Sequence, residues 1–338
     1  MTRWIFVRRL VLLAAISLPG LVAQDTKPQD RSCWLRDIAS PTNTNIYALC
    51  EQGTLWVSTD SGATWQARGM GTTEAVRGLA FLDANRGLAV GDNGVIVATS
   101  DMGKTWKPLN STTKQKLMDV IFFGEHGWAV GYNGLIIHTS DFGETWETQK
   151  SGTTQAIEAV FFLDEQHGWA IGWAGTILRT TDGGKSWAAV RTDAATWSLS
   201  SVYFRDVNNG WIVGFAGQIL HSTDGGVTWK PQTSAVKGWL TSVAFDKSNR
   251  GWITHDDGFL ETENDGETWK VVNTGGRFFL SKLVRVHETM WALGQSTLLR
   301  QSGNGLEWQR IESLKLDRAT QTTVQAPAPL AAGGAPQN

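Results

Sequence analysis

The chain has 338 residues, with 30 Lys+Arg against 32 Asp+Glu, a net charge of −2 and only 18% charged residues. That balance leaves no basic footprint for nucleic acid. Eighteen tryptophans and 37 glycines against 8 prolines, with no helical periodicity of useful length between them, point to an all-β fold.

The chain opens on Arg3, Arg8 and Arg9, followed by an apolar run from Leu10 to Leu18 and small residues near Ala23. This layout predicts a secretory signal peptide over residues 1–23, too short in its core for a comfortable membrane span. Removing three arginines takes the net charge from −2 to −5, so the expected product is mildly acidic and exported, periplasmic or extracellular. Cys33 and Cys50 are the only cysteines. An oxidising compartment permits a disulfide between them, and the repeat register described next brings them to one edge of one sheet. Free thiols are the alternative.

From there an eight-residue figure recurs, S/T-x-D-x-G-x-S/T-W, at Ser58–Trp65, Thr99–Trp106, Thr139–Trp146, Thr180–Trp187 and Ser222–Trp229. Two weaker copies follow, with Asn264 and Gly303 in place of the aspartate. The closing tryptophans are spaced 41, 40, 41, 42, 40 and 39 residues apart. A period near 40 residues marks a repeat architecture with room for four short strands per unit. In the third repeat these strands, A to D, are expected at Leu117–Phe123, Trp128–Gly131, Leu135–Ser140 and Trp146–Lys150. The first strand A falls near Leu35–Ser40. Seven such units over residues 33–313 predict a seven-bladed β-propeller of four-stranded antiparallel blades. Residues 321–338, rich in Ala, Pro, Gly and Gln, are expected to be a disordered tail.

The aspartates Asp60, Asp101, Asp141, Asp182 and Asp224 invite a reading as catalytic acids or calcium ligands. Equivalent positions around a ring cannot converge on one site, so a structural role at the C–D turn is the expectation. There Asp accepts backbone N–H groups, Gly supplies an unusual backbone conformation, and Trp anchors neighbouring sheets. Trp128, Trp169, Trp211, Trp252 and Trp291 form a second ladder in strand B, with Tyr47 and Leu88 filling its first two places. The histidines occupy variable turn or strand positions, and no metal or cofactor is expected.

In a propeller the B–C turns and D–A connections share one face. Aromatic residues outside the two ladders gather there: Tyr132, Trp173 and Phe215 at B–C tips, and Trp197, Trp239, Phe278 and Phe279 with Arg277 on D–A connections. Either they form a partner surface or they fold inward as plugs. A protein partner is expected there, with the chain itself monomeric.

The Asp figure resembles the Asp-box of sialidases. Members of that family also carry an Arg-Ile-Pro motif, three arginines and a Tyr/Glu pair; this sequence lacks the motif, and its tyrosines are Tyr47, Tyr132 and Tyr203. The longer unit G-W-A-V-G-Y-N-G-L-I-I-H-T-S-D-F-G-E-T-W at Gly127–Trp146, with its copies at Gly168–Trp187 and Gly210–Trp229, resembles the repeat of the photosystem II stability/assembly factor family. That resemblance implies a non-enzymatic lumenal or periplasmic propeller that binds newly made reaction-centre protein. In a photosynthetic source the compartment would be the thylakoid lumen. Family members of cyanobacterial type often carry a lipobox cysteine and an arginine-rich patch. Here there is no lipobox, and the patch reduces to Arg36 and Arg77, which share one register in adjacent strands A. A sialidase-like or other carbohydrate-active propeller is the alternative.

Overall fold

A computed structural model of the protein describes residues 33–272, 278–301, 307–312 and 314. The expected signal segment 1–23, Arg277, Gly303, Ser313 and the tail 321–338 lie outside the described residues. Seven separate four-stranded antiparallel sheets are each built from four consecutive strands. The fold is a seven-bladed β-propeller, as the repeat spacing predicts. In the third blade the strands are Leu117–Phe123, His126–Gly131, Ile136–Thr139 and Glu147–Gln149, within two residues of expectation. Strand A of each blade touches strand A of the next, and the seventh touches the first. Strands A therefore ring a central channel, and strands D lie at the rim.

Composition follows this radial order. Strand B, such as Gly168–Gly172, is buried along its whole length because neighbouring blades cover both of its faces. Strand D, such as Glu147–Gln149, is mostly exposed. The core is a set of inter-blade clusters rather than one centre. Trp128, Val130 and Ile136 of the third blade, for instance, pack with Ile157, Phe162 and Trp187 of the fourth.

The two tryptophan ladders turn out to be parts of one clasp. Each Asp-box turn is held internally in the same way. In the second blade Thr99 Oγ1 donates to Asp101 Oδ1 at 2.8 Å and accepts from Gly103 N at 2.9 Å. Thr105 N and Thr105 Oγ1 then donate to the two oxygens of Asp101 at 2.9 and 2.6 Å. The strand-B residue of the preceding blade docks against this turn. Trp128 Nε1 donates to Gly183 O at 3.2 Å, Trp169 Nε1 to Gly225 O at 3.1 Å, and Tyr47 Oη to Met102 O at 3.0 Å. A buried indole of about 200 Å² contributes on the order of 5 kcal/mol as an upper estimate. Of the closing tryptophans, Trp65, Trp106 and Trp308 are only half-buried, while Trp146, Trp187, Trp229 and Trp269 are buried.

Among the described residues each blade keeps its own four strands, and the ring is closed by side-chain packing and a short backbone contact between Trp34 and Gln295. Trp291, Leu293 and Leu298 of the seventh blade pack with Leu35, Ile38 and Ala48 of the first, and Leu314 joins them. Ser296 N donates to Cys33 O at 2.9 Å. Cys33 and Cys50 are joined by a disulfide, with Cα atoms 5.7 Å apart, at this same seam.

Candidate functional site

One backbone irregularity builds the mouth of the channel. In every blade the A–B pairing slips by one residue near the start of strand A, for example between Leu35 and Asp37 and between Ile157 and Ala159. The same slip recurs in the other five blades. The extra residue of each bulge is Arg36, Arg77, Met118, Glu158, Ser200, Thr241 or Ser281. A bulge bends the strand and re-aims the side chain, and all seven of these residues line the channel, a cavity of about 500 Å³. The common register of Arg36 and Arg77 was legible in the sequence. The same register, extended, would have revealed Glu158.

At the mouth, charges and rings form a continuous chain of contacts. Arg36 Nη2 lies 2.7 Å from Glu51 Oε2. Arg77 reaches Glu51 at 3.3 Å and Asp92 at 2.6 Å. Lys116 Nζ lies 3.4 Å from Asp92 and 5.2 Å from the centre of the Tyr132 ring. Tyr132 meets Trp173 edge-on at 5.6 Å, and Trp173 Nε1 donates to Glu158 Oε1 at 2.5 Å. Arg36 and Arg77 are thus not a free cationic patch, because turn-tip carboxylates neutralise both. Burial alone would raise the Asp92 pKa, but the Arg77 hydrogen bond and charge, with Lys116, outweigh it and hold it below the ordinary range. Glu158 goes the other way. Its burial dominates over the Trp173 hydrogen bond and the nearby cations, and its pKa is raised.

The aromatic residues occupy the adjoining arc of the same face. Trp173, Trp197, Phe215, Trp239 and Phe279 are 43–58% exposed, whereas Tyr132 and Phe278 are half-buried. Trp197 packs beside Phe215 at 5.8 Å, and Trp239 Nε1 donates to Ser200 Oγ at 2.6 Å. The face therefore divides in two. Ion pairs cover the first three blades, and exposed rings cover the fourth to the seventh.

Deeper in the channel sits a group that sequence reading missed. Lys282 Nζ lies 2.8 Å from Asp37 Oδ2 and 3.7 Å from Asp119 Oδ1. The same carboxylates accept backbone N–H groups of the next blade, Leu79 N at 3.0 Å and Val160 N at 3.1 Å. Burial lowers the Lys282 pKa on its own, yet Asp37 and then Asp119 more than compensate and leave it raised. Asp119 is also raised, by burial above all, in spite of Lys282. The three side chains stitch blades across the channel. Nothing in the sequence marks them, because they are separated by up to 245 residues.

Asp92 and Glu51 are bound in ion pairs, and Tyr203, which lines the channel, has its pKa raised chiefly by burial, opposite to what a nucleophile needs. Tyr47 is in the core. His126 Nδ1 and His138 Nε2 lie 3.1 Å apart, and His138 Nδ1 lies 3.2 Å from Glu147 Oε1. Among the described residues no group of three or more His, Cys, Asp or Glu is placed to hold a metal ion.

The sequence pattern of the family described as Photosynthesis system II assembly factor YCF48 matches residues 64–154 and 144–237, together just over half of the chain. The chain belongs to the YCF48 family. Solved YCF48 structures agree in fold. One, from Cyanidioschyzon merolae, superposes with a TM-score of 0.69 at 17% identity, covering 80% of this chain and 95% of that one. Another, described as YCF48 bound to D1 peptide, gives 0.67 at 18% identity, covering 80% and 91%. An ancestral GH74 enzyme also shares the propeller, with a TM-score of 0.65 at 14% identity, but this chain covers only 47% of it. No curated protein matches the chain. This member of the YCF48 family pairs Arg36 and Arg77 with acids and carries its exposed aromatic rings on the adjoining arc of the same face.

Proposed function

We propose that this protein is an exported, non-catalytic scaffold or assembly chaperone that holds a protein subunit of a membrane-associated complex on the B–C face. The observation that carries the reading is the channel mouth itself. Trp173 is pinned through its indole N–H to Glu158 while its ring remains exposed beside Tyr132, and exposed Phe215 lies next along the face. Rigid aromatic side chains next to neutralised charges lose little entropy when a chain segment binds over them. Membership of the YCF48 family supports a photosystem-type partner, and a YCF48 structure carries a bound D1 peptide. The basic and apolar N-terminal layout and the Cys33–Cys50 disulfide support export to an oxidising compartment.

An affinity pull-down comparing the native chain with Trp173→Ala/Phe215→Ala tests the surface. Loss of the recovered subunit in the variant is expected; equal recovery overturns the assignment. The carbohydrate-active alternative rests on the shared fold and on the Asp figure. Robust turnover of fluorogenic glycosides or sialosides by the purified protein would replace the scaffold reading.

A further inference from the structure

The two histidines of the third blade form a line. His126 Nδ1 lies 3.1 Å from His138 Nε2, while the ring centres are 5.3 Å apart and the planes differ by only 12°. At that centre spacing two ring nitrogens come so close only when they lie between the centres, nearly in both planes. The contact is therefore an in-line N–H···N hydrogen bond and not a stack. On the far side of the His138 ring, Nδ1 lies 3.2 Å from Glu147 Oε1. An ionised carboxylate only accepts, so His138 Nδ1 donates to it and His138 Nε2 accepts from His126 Nδ1. One added proton fits, on His126 Nε2. A second sets two N–H groups head to head and breaks the line.

The third blade alone carries histidine at both of these repeat positions. In the sixth blade they hold Arg250 and Glu261, joined as an ion pair, and in the fifth Asn209 and His221. The pair also sits on the joint to the fourth blade. Trp128 lies 6.2 Å from the His126 ring and 5.2 Å from the His138 ring, stacks at 3.7 Å on Phe162 of the fourth blade, and donates to Gly183 O. The charged residues lining the cleft around the pair are Glu147 and Lys150 of its own blade and Glu165, Asp182 and Lys185 of the fourth. Asp182 is held within its own turn by Thr180 and Ser186. At the other end of the same joint, Tyr132 meets Trp173 at the channel mouth.

We propose that His126 and His138 form an acid-sensitive latch: uptake of the second proton breaks the line, releases His126 from the joint, and loosens the third blade from the fourth beneath the Tyr132–Trp173 contact. Burial lowers the His138 pKa most; the Glu147 hydrogen bond opposes this, and the charge of His126 lowers it further. A histidine free of these contacts titrates near about 6.5. Below that pH an opened joint binds more protons than the closed one, so the closed form loses stability as the pH falls. The latch itself stands on the geometry of the pair. Only its consequence for a partner rests on the function proposed above.

The test uses the full chain without a partner. Histidine nitrogen NMR at about pH 7.5 is expected to show His138 protonated on Nδ1 and bare on Nε2. Amide hydrogen exchange, corrected for its intrinsic pH dependence, should rise about tenfold around Trp128 and Gly183 between about pH 7.5 and pH 5. Around Tyr47 and Met102, a joint without histidines, it should stay level. His126→Asn installs the residue that the fifth blade carries at this place, Asn209. It should keep the denaturation midpoint at neutral pH and abolish the acid response. The proposal is overturned if His138 is protonated on Nε2 at neutral pH, if both joints respond alike, or if the acid response survives in His126→Asn. Because exchange is read on the free chain, its outcome is independent of whether Trp173→Ala/Phe215→Ala loses a partner.

Discussion

Trp128 of the third blade packs so closely on Gly184 of the fourth that, with Gln149 beside it, it leaves no room for a larger residue at 184. A β-carbon on Gly184 would lie 2.9 Å from Trp128 Nε1, and Gly184 already sits at a φ of +82°. Meanwhile Trp128 Nε1 donates to the carbonyl just before it, Gly183 O. The glycine of the Asp figure and the tryptophan of strand B are thus two halves of one joint between blades. Gly184→Ala is expected to cost about 2–4 kcal/mol, combining a left-handed backbone with overpacking. Trp128→Phe should cost less, about 1–2 kcal/mol, from the lost hydrogen bond and some packing. Urea denaturation midpoints compare the two.

The Asp-box carboxylates titrate with folding. Hydrogen bonds from Thr64 and Ser58 lower Asp60 to about 2, and Thr105 does the same for Asp101, to about 2 against some burial. An unfolded aspartate titrates near 3.9, so the unfolded chain binds more protons between the two values. The boxes' contribution is complete above about pH 4 and lost as pH falls towards 2. Asp101→Ala should destabilise by about 1–2 kcal/mol at neutral pH. Asp101→Asn should cost less than half of that, because Asn264 already serves in the sixth blade, where its Oδ1 accepts from Thr262 and Thr268 N and its Nδ2 donates to Thr268 Oγ1. Denaturant titrations at pH 2.5 and pH 6 should also show a smaller acid loss for the Asn variant than for the native chain.

Two B–C turns carry a conformation their residues resist. Ala174 and Ala216 have φ of 52° and 59° at the position that Asn93 and Asn133 hold with φ of 54° and 56°. Asparagine tolerates this region better than alanine. Ala174→Asn and Ala216→Asn are each expected to stabilise by about 0.5–1 kcal/mol, and to add when combined, since they lie in separate blades. Thermal melts of the single and double variants check this, with neighbouring Trp173 and Phe215 left in place.

Lys282 neutralises two carboxylates that have little access to water. Lys282→Met leaves Asp37 and Asp119 facing each other without a cation, and a loss of about 3 kcal/mol is expected at neutral pH. Asp119 is already raised above its unfolded value, and losing Lys282 raises it further. In the variant the folded state binds the extra protons, so its stability falls as pH rises through the elevated pKa. The deficit relative to the native chain should therefore be smallest in mild acid and grow towards neutrality, opposite in sign to the Asp-box effect. Stability measured from pH 5 to 8 distinguishes the two.

Period, blade count and strand order were legible in the sequence because each repeat must bury the same faces, so Trp65 to Trp308 keep their spacing. The structural role of Asp60, Asp101, Asp141, Asp182 and Asp224 followed from their equivalence alone, and the bonds within each turn explain why Asn264 can replace one of them. The face that carries Trp173, Trp197, Phe215, Trp239 and Phe279 could also be assigned by counting strands. Their outward orientation could not, since a ring on a connection can point either way until its neighbours are placed. Arg36 and Arg77 show the same limit. Sequence register puts them side by side, but whether their charge is free depends on Glu51 and Asp92, which come from B–C tips fifteen residues away in each case. Lys282 meets Asp37 only because the seventh blade closes on the first. Local pattern fixes what each blade is, while long-range closure decides which side chains meet at the channel.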